Sequence, residues 1–360
     1  MKPWSAPPWF TPTLAALLER RNLSAMHMCQ LMHGILDGTC GDVETAALLV
    51  ALNAKGETAD ELAAAAAVLR EYCLPLAAGR EDVLDTCGTG GDGSGTFNIS
   101  TATALVAAAA GVPVVKHGNH AVSSRSGSAD VLAALGVRVE LDAQAARHCL
   151  EHAGMTFCLA PLFHPRLRHL GTVRRRLGVP TLLNCLGPLA NPAGAAYQLL
   201  GVGRAEWLDR LAAARARLGA RHALLVCGRD GLDEVSLAGP TLVRQVRGNE
   251  VTAAEWTPDD FGLAPCRPEE LRVEGPQESA AVIRAVLRGE QGAARRIVLA
   301  NAAAALLAAE KAASLPEGVA KAAQAIDSGR ALGVLNDLVA LSHSGGGGVK
   351  PPRSPRFEIE

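Results

Sequence analysis

The run Asp85-Thr-Cys-Gly-Thr-Gly-Gly-Asp-Gly-Ser-Gly-Thr-Phe-Asn-Ile-Ser-Thr101 is polar and dense in glycine. A second polar run, Lys116-His-Gly-Asn-His-Ala-Val-Ser-Ser-Arg-Ser-Gly-Ser-Ala-Asp130, follows an apolar segment over 102–110 that reads as a helix closed by Gly111 and Pro113. Both runs stand where a strand hands over to a helix. At such a place an α/β protein holds a phosphorylated ligand, because backbone N–H groups, hydroxyls and a lysine converge there without bulky side chains. Gly88, Gly90 and Gly93 satisfy G-x-G-x-x-G, but that dinucleotide fingerprint also needs an acidic residue about 20 positions further on. From Ile99 to Ala129 there is no Asp or Glu, and no Gly-Lys-Ser or Gly-Lys-Thr of a Walker loop occurs anywhere. What remains is a glycine loop that leads into a helix capped by Ser100 or Asn98, whose dipole adds about 0.3 to 1 kcal/mol of preference for an anion.

Working outward, the residues before the loop are helical by their apolar spacing, over 14–20, 24–37, 42–53 and 58–72, with Ser24, Asp42 and Thr58 as N-caps and Gly38 and Gly56 as stops. Strands are expected over 81–86, 113–116, 138–141 and 155–160, alternating with helices that end at 110 and span 128–135 and 143–153. A helix over 165–177 interrupts the alternation, which resumes with a strand over 198–202, a helix over 205–218 and a strand over 222–227. Two segments, 242–246 and 250–255, flank Arg247-Gly-Asn as a hairpin, and the chain is helical again from 278 to 341. Strands alternating with helices predict an α/β fold with a mostly parallel sheet covered on both faces. The residues from His343 onward, Ser-Gly-Gly-Gly-Gly-Val-Lys-Pro-Pro, have the composition of a flexible tail.

A chain of 360 residues, 49% hydrophobic and 20% charged, buries a large core and exceeds the usual size of one domain. A net charge of −1 argues against a nucleic-acid binder, so an anionic ligand must be held by a local site. No apolar run reaches the roughly 18 residues of a membrane span, and the opening Met1-Lys-Pro-Trp-Ser-Ala-Pro-Pro-Trp-Phe puts prolines where a signal peptide needs its apolar core. The expectation is a cytoplasmic protein without a membrane or nucleic-acid partner. Its nine cysteines are scattered and never spaced C-x-x-C, which reads as reduced small hydrophobes with neither a disulfide frame nor a zinc site. Asp233 and Glu234, beside Gly231 and Ser236 just past a buried strand, read by themselves as a solvated acidic turn.

Asp85-Thr-x-Gly-Thr-Gly-Gly-Asp, Phe97-Asn-Ile-Ser-Thr, Lys116-His-Gly-Asn and Ser123-Ser-x-Ser-Gly-Ser-Ala-Asp together resemble the anthranilate phosphoribosyltransferase family of tryptophan biosynthesis. The resemblance continues through His164-Pro, Val173-Arg-Arg-x-Leu-Gly, Asn184-x-Leu-Gly-Pro-Leu-x-Asn-Pro and Asp230-Gly-Leu-Asp-Glu-Val-Ser, and covers nearly everything between about Leu14 and Leu341. It implies a small N-terminal helical domain, 1–84 joined by 165–192, on a large α/β domain with a central mostly parallel sheet flanked by helices, 85–164 with 193–341, followed by a tail over 342–360. It implies transfer of the phosphoribosyl group of phosphoribosyl diphosphate (PRPP) to the amine of anthranilate, a magnesium ion, and a homodimer formed through the helical domain.

For the donor PRPP the resemblance implies Gly88, Thr89, Gly90, Gly91, Asp92, Thr96, Asn98, Ser100, Thr101, Lys116 and Ser128. Glycines let the backbone approach the diphosphate, Asp92 receives ribose hydroxyls, and Lys116 brings a cation. For the acceptor it implies Gly88, His117, Asn119, His164, Arg174 and Gly187, with Arg174 suited to a carboxylate because a guanidinium meets it bidentately. His164 reads equally as a cap before Pro165, and Arg175 and Arg176 as solvent-facing. At this place in the pattern Asp233 and Glu234, with Ser100, imply the Mg²⁺ site, since phosphate-bound magnesium keeps several waters and takes one or two carboxylates. No catalytic base is assigned, because an aromatic amine is already neutral at physiological pH. Two departures each remove a positive charge: His120 stands where the family usually has arginine, and Asn53-Ala54 where it commonly has Arg-Met. A nucleoside phosphorylase is expected to carry Lys-His-Ser-Thr-Gly-Gly-Val-Gly-Asp at the first loop, and a non-enzymatic nucleic-acid-binding relative a basic surface without the acceptor residues; this chain has neither.

Overall fold

The structure is a computed structural model that describes residues 6–121 and 126–344. It opens with four helices, α1 (Phe10–Leu18), α2 (Ala25–Leu36), α3 (Asp42–Lys55) and α4 (Ala59–Glu71). The Ser24 hydroxyl accepts from the His27 N–H, and Thr58 forms a capping box with Glu61. Asp42, expected as an N-cap, is instead the first residue of α3, with Gly41 in the cap position. Its charge there still meets the positive end of the helix. Glu61 is fully buried and accepts from the Leu23 and Thr58 N–H groups and from Lys55 Nζ, which ties the starts of α2 and α4 to the end of α3.

The α/β part follows with β1 (Leu84–Gly88), α5 (Ile99–Ala109), β2 (Val114–Gly118), α6 (Ser128–Ala134), α7 (Ala143–Ala153) and β3 (Met155–Leu159). After α8 (Ala160–Phe163) the chain returns to the helical bundle through α9 (Leu170–Leu177) and α10 (Leu182–Leu189). It then completes the sheet with β4 (Tyr197–Gly201), α11 (Ala205–Arg217), β5 (His222–Gly228), β6 (Thr241–Arg247) and β7 (Glu250–Trp256). Four helices close it: α12 (Pro276–Leu287), α13 (Ala293–Ala308), α14 (Leu315–Asp327) and α15 (Arg330–Ser344). The sheet order is β3-β2-β1-β4-β5-β6-β7, parallel through β5 and antiparallel in the terminal hairpin.

The expected strand over 138–141 does not form. Val137, Val139 and Leu141 do alternate inward, but the Arg138 N–H goes to the Ser342 hydroxyl at the end of α15 and not to a neighbouring strand. The alternation there reported burial against a helix. The helix expected over 165–177 breaks into a 3₁₀ turn (Pro165–Leu167) and α9. Residues 342–344, assigned to a tail, finish α15; the rest of that expected tail, 345–360, and Ser123, Ser124 and Arg125 of the second polar run lie outside the described residues. Among the described residues, no helix is long and apolar enough to cross a membrane.

Two apolar clusters hold the molecule. One joins β1, β2 and β3 to α5, α7, α13 and α15, with Leu84, Leu105, Val115, Phe157 and Leu306 fully buried. The other runs from the N-terminal helices through Val173, Leu182 and Leu186 to Leu200, Leu211 and Leu225, so the bundle and one face of the sheet share a core. That shared core sets α9 and α10 against the ends of β1 and β2.

Candidate active site

Strand order reverses at β1: β2 and β3 lie to one side, β4 and β5 to the other. In an open α/β sheet such a switch point leaves a crevice at the carboxyl ends of the strands. Here it opens into a cleft of about 320 Å³. The glycine loop crosses its mouth, with the Thr89 N–H on the Gly201 carbonyl (2.9 Å) and the Gly203 N–H on the Thr89 hydroxyl (3.0 Å). Gly90 and Gly91 have φ of +66° and +81°, a backbone that side-chain-bearing residues rarely adopt. The Gly90 N–H donates to Asp233 Oδ2 at 3.1 Å, which locks the loop to the acidic pair.

Asn98, and not Ser100, caps α5: its Oδ1 accepts from the Thr101 N–H (3.0 Å) and from the Ser100 hydroxyl (3.3 Å). Lys116 rises from β2 beneath the loop, nearly fully buried, and donates to the Ser100 hydroxyl (3.0 Å) and the Thr86 carbonyl. Burial pulls its pKa down, against the neighbouring carboxylates. The acids are perturbed the other way. Burial, and then the charge of Asp92, push Asp233 up to about 7; burial, and then the charge of Asp233, push Glu234 well above the usual carboxylate range. These two carboxyls therefore hold their protons more tightly than exposed acids do. Asp92 Oδ2 is enclosed without a partner. Among the described residues no group of three or more His, Cys, Asp or Glu forms a metal cage.

The opposite wall comes from α9, α10 and the turn after α8. His117 Nδ1 meets the Gly187 carbonyl and His164 Nε2 the Ala190 carbonyl, each at 3.0 Å. A carbonyl only accepts, so those nitrogens carry the protons. Burial first, and then the charge of His164, lower His117 to about 3, and burial lowers His164 to about 4. Both rings are thus neutral, 5.0 Å apart between centroids, and each keeps an unpartnered nitrogen, His117 Nε2 and His164 Nδ1. Arg174 projects from α9 half-buried, with its pKa lowered by burial and no acceptor for its guanidinium among the described residues. Arg175 and Arg176 are exposed. Asn119 accepts the His120 N–H at 2.8 Å, and His120 Nδ1 lies 2.6 Å from Asp130 Oδ1.

Of the residues singled out from the sequence, Gly88, Thr89, Gly90, Gly91, Asp92, Thr96, Asn98, Ser100, Lys116, His117, Asn119, Ser128, His164, Arg174, Gly187, Asp233 and Glu234 all line this one cleft. Thr101 does not line it. Its side chain points into the core on the inner face of α5, fully buried, while its N–H is spent on the cap. The sequence reading passed over Leu167, Leu183, Asn184 and Pro188, which also line the cleft. Asn184 and Pro188 stood inside a quoted motif, whereas the two leucines carry no signal distinguishing them from core residues.

Residues 80–332 match the family model described as the glycosyl transferase family a/b domain, and residues 11–73 that of the glycosyl transferase family helical bundle domain. The chain is 47% identical over 331 residues, 92% of its length and 98% of the relative's, to anthranilate phosphoribosyltransferase of Thioalkalivibrio sulfidiphilus. Among solved structures it resembles the anthranilate phosphoribosyltransferase of Thermus thermophilus, with 42% identity and a TM-score of 0.86 over 92% of this chain and 99% of that one. It also resembles that of Saccharomyces cerevisiae in complex with PRPP and Mg, with 28% identity and a TM-score of 0.85 over 93% of this chain and 98% of that one. Both halves of the fold, the order of the motifs and identity over nearly the full length agree: the chain belongs to the glycosyl transferase family, among the anthranilate phosphoribosyltransferases.

Proposed function

We propose that this enzyme transfers the phosphoribosyl group of PRPP to the amine of anthranilate, giving N-(5-phosphoribosyl)anthranilate and diphosphate, as a cytoplasmic homodimer. The observation that carries the reading is a single cleft with an anion-binding loop at one end and a free guanidinium at the other. In domain terms, 1–84 with 165–192 brings Arg174 and Gly187 to the acceptor end, where His117, Asn119 and His164 join them from 85–164, and 85–164 with 193–341 supplies the donor wall. The nucleoside phosphorylase and nucleic-acid-binding readings gain no observation in their favour.

At the donor end Gly88, Thr89, Gly90 and Gly91 offer backbone N–H groups to the diphosphate. Asn98, Ser100, Thr96 and Ser128 add neutral donors, Lys116 a positive charge, and Asp92 an acceptor for ribose hydroxyls. The crowded carboxylates and the partnerless Asp92 oxygen fit a divalent cation brought in on the donor's phosphates, with Asp233, Glu234 and Ser100 holding it directly or through water. Magnesium, when bound, neutralises the diphosphate as it departs. At the acceptor end Arg174 pairs with the anthranilate carboxylate, Asn119, His117 and His164 fix the ring, and Gly187, with no atom within 4 Å of an added Cβ, leaves room beside it. The amine lone pair forms the bond to the anomeric carbon as the carbon–oxygen bond to diphosphate breaks and its electron pair leaves with diphosphate. The ammonium proton is lost afterwards. Orientation and electrostatic stabilisation carry most of the rate.

The test is the loss of anthranilate fluorescence in the presence of PRPP, with and without Mg²⁺, in wild type and Arg174→Ala. Magnesium-dependent consumption is expected, with the anthranilate KM raised roughly ten- to a hundredfold in the variant and the PRPP KM unchanged. Silence from well-folded wild type would overturn the reading.

A further inference from the structure

The end of α10 forms the floor of the acceptor pocket, and its last carbonyls lack the N–H four residues on that would continue the helix, although the Gly187 carbonyl also accepts from the Ala190 N–H at 3.2 Å. Four consecutive ones are each held by a side chain from a different element: Gly187 by His117 of β2, Pro188 by Gln198 of β4 (2.6 Å), Leu189 by Arg70 of α4 (2.8 Å), and Ala190 by His164. Three of these side chains can donate in one way only once their ring or guanidinium is in place. Gln198 is different, because an amide turned over would set its oxygen against the Pro188 carbonyl.

What fixes that amide is Arg215. Its Nε donates to Gln198 Oε1 at 2.9 Å, and a guanidinium can only donate. Gln198 Nε2 is thereby left to donate to the Pro188 carbonyl and to Cys87 Sγ. Arg215 sits on α11 at 4% exposure, held otherwise by the Ala195 carbonyl and, among the described residues, paired with no carboxylate. Burial, and then the charge of Arg70, push it down to about 10. A buried guanidinium without an acid is a costly element that an apolar side chain replaces at no loss of packing. Its place at the far end of a hydrogen-bonded line to the pocket floor accounts for it.

We propose that Arg215 and Gln198, neither of which lines the cleft, are positioning residues for the acceptor. They hold the Gly187–Pro188 step, which walls the pocket and, through the Gly187 carbonyl, sets the His117 ring. This inference rests on the transferase reading for its substrate, and on the fold alone for its geometry.

Gln198→Glu is the sharpest test, since the carboxylate keeps the size and the bond from Arg215 but has no N–H for Pro188. The anthranilate KM is expected to rise about tenfold or more while the PRPP KM stays within about twofold. Amide hydrogen exchange over 186–190 in the unliganded protein is expected to quicken. Arg215→Met, which frees the amide to turn, gives the same split to a lesser degree. Equal losses toward both substrates with a lowered melting temperature would mark a merely structural pair and overturn the proposal, as would unchanged exchange over 186–190. If wild type consumes no anthranilate, the functional reading fails, and the exchange measurement still decides whether the pair holds the step.

Discussion

His117 and His164 show how little a residue's identity says until its partners are known. From the sequence both were acceptor candidates, and His164 also read as a cap before Pro165. In the structure each donates one N–H to a carbonyl at the end of α10 and keeps the other nitrogen bare, and burial holds both neutral. The consequence for pH has a definite sign. Folded His164 stays neutral down to about 4, whereas in the unfolded chain it protonates near 6.5. Between these values the unfolded state binds more protons, so stability falls as pH falls. His164→Gln, whose amide still donates to Ala190, removes that contribution. Urea unfolding at pH 6.5 and pH 5 should show wild type losing about 1 to 2 kcal/mol more than the variant over that interval. An equal loss in both would mean that His164 is charged in the fold. Thr101 carries the opposite lesson: it follows Asn98 and Ser100, which line the cleft, yet helical rotation turns it into the core.

Strand and helix ends, more than their middles, build the donor site. β1 and β4 both end on glycine, and the reason is a close approach: a Cβ added at Gly201 would lie 1.6 Å from the Asp233 carbonyl oxygen, and one at Gly88 2.8 Å from Asp233 Oδ2. The segment bearing Asp233 and Glu234 thus lies directly over the strand termini. Gly201→Ala must displace backbone, and not just a flexible side chain, so it should shift the acidic pair and lower the magnesium-dependent kcat/KM by about a hundredfold or more. A fluorescence assay run across magnesium concentrations checks this, and activity within a factor of about three of wild type would refute it. The glycine loop itself was legible because its composition is unusual. The 138–141 segment was misread because inward alternation is the same whether the partner is a strand or α15.

For the molecule as a whole, the core shared between the bundle and the sheet holds the acceptor and donor walls together. Outside that core the first three helices expose Leu18 and Met26 at 71% and Val43 at 77%. Burial of such side chains against a second copy contributes favourably, in keeping with the proposed homodimer through the helical domain. Sedimentation should give about twice the 37.3 kDa chain mass, and Met26→Glu with Val43→Glu should shift it toward the monomer without lowering the melting temperature of the protomer. A dimer unaffected by both substitutions would place the interface elsewhere. The sequence by itself determined the local matters: the helices by their periodicity and caps, the parallel strands by their apolar runs, and the phosphate-type loop by its glycines, because each depends on neighbours a few positions apart. Only the tertiary structure decided what depends on distant residues. It brought Arg174 opposite the glycine loop, buried Asp233 and Glu234 beside Asp92 so that burial first and mutual charge second raise them, and ran Arg215 through Gln198 to the pocket floor. These effects follow from burial and proximity, which a linear order of residues does not contain.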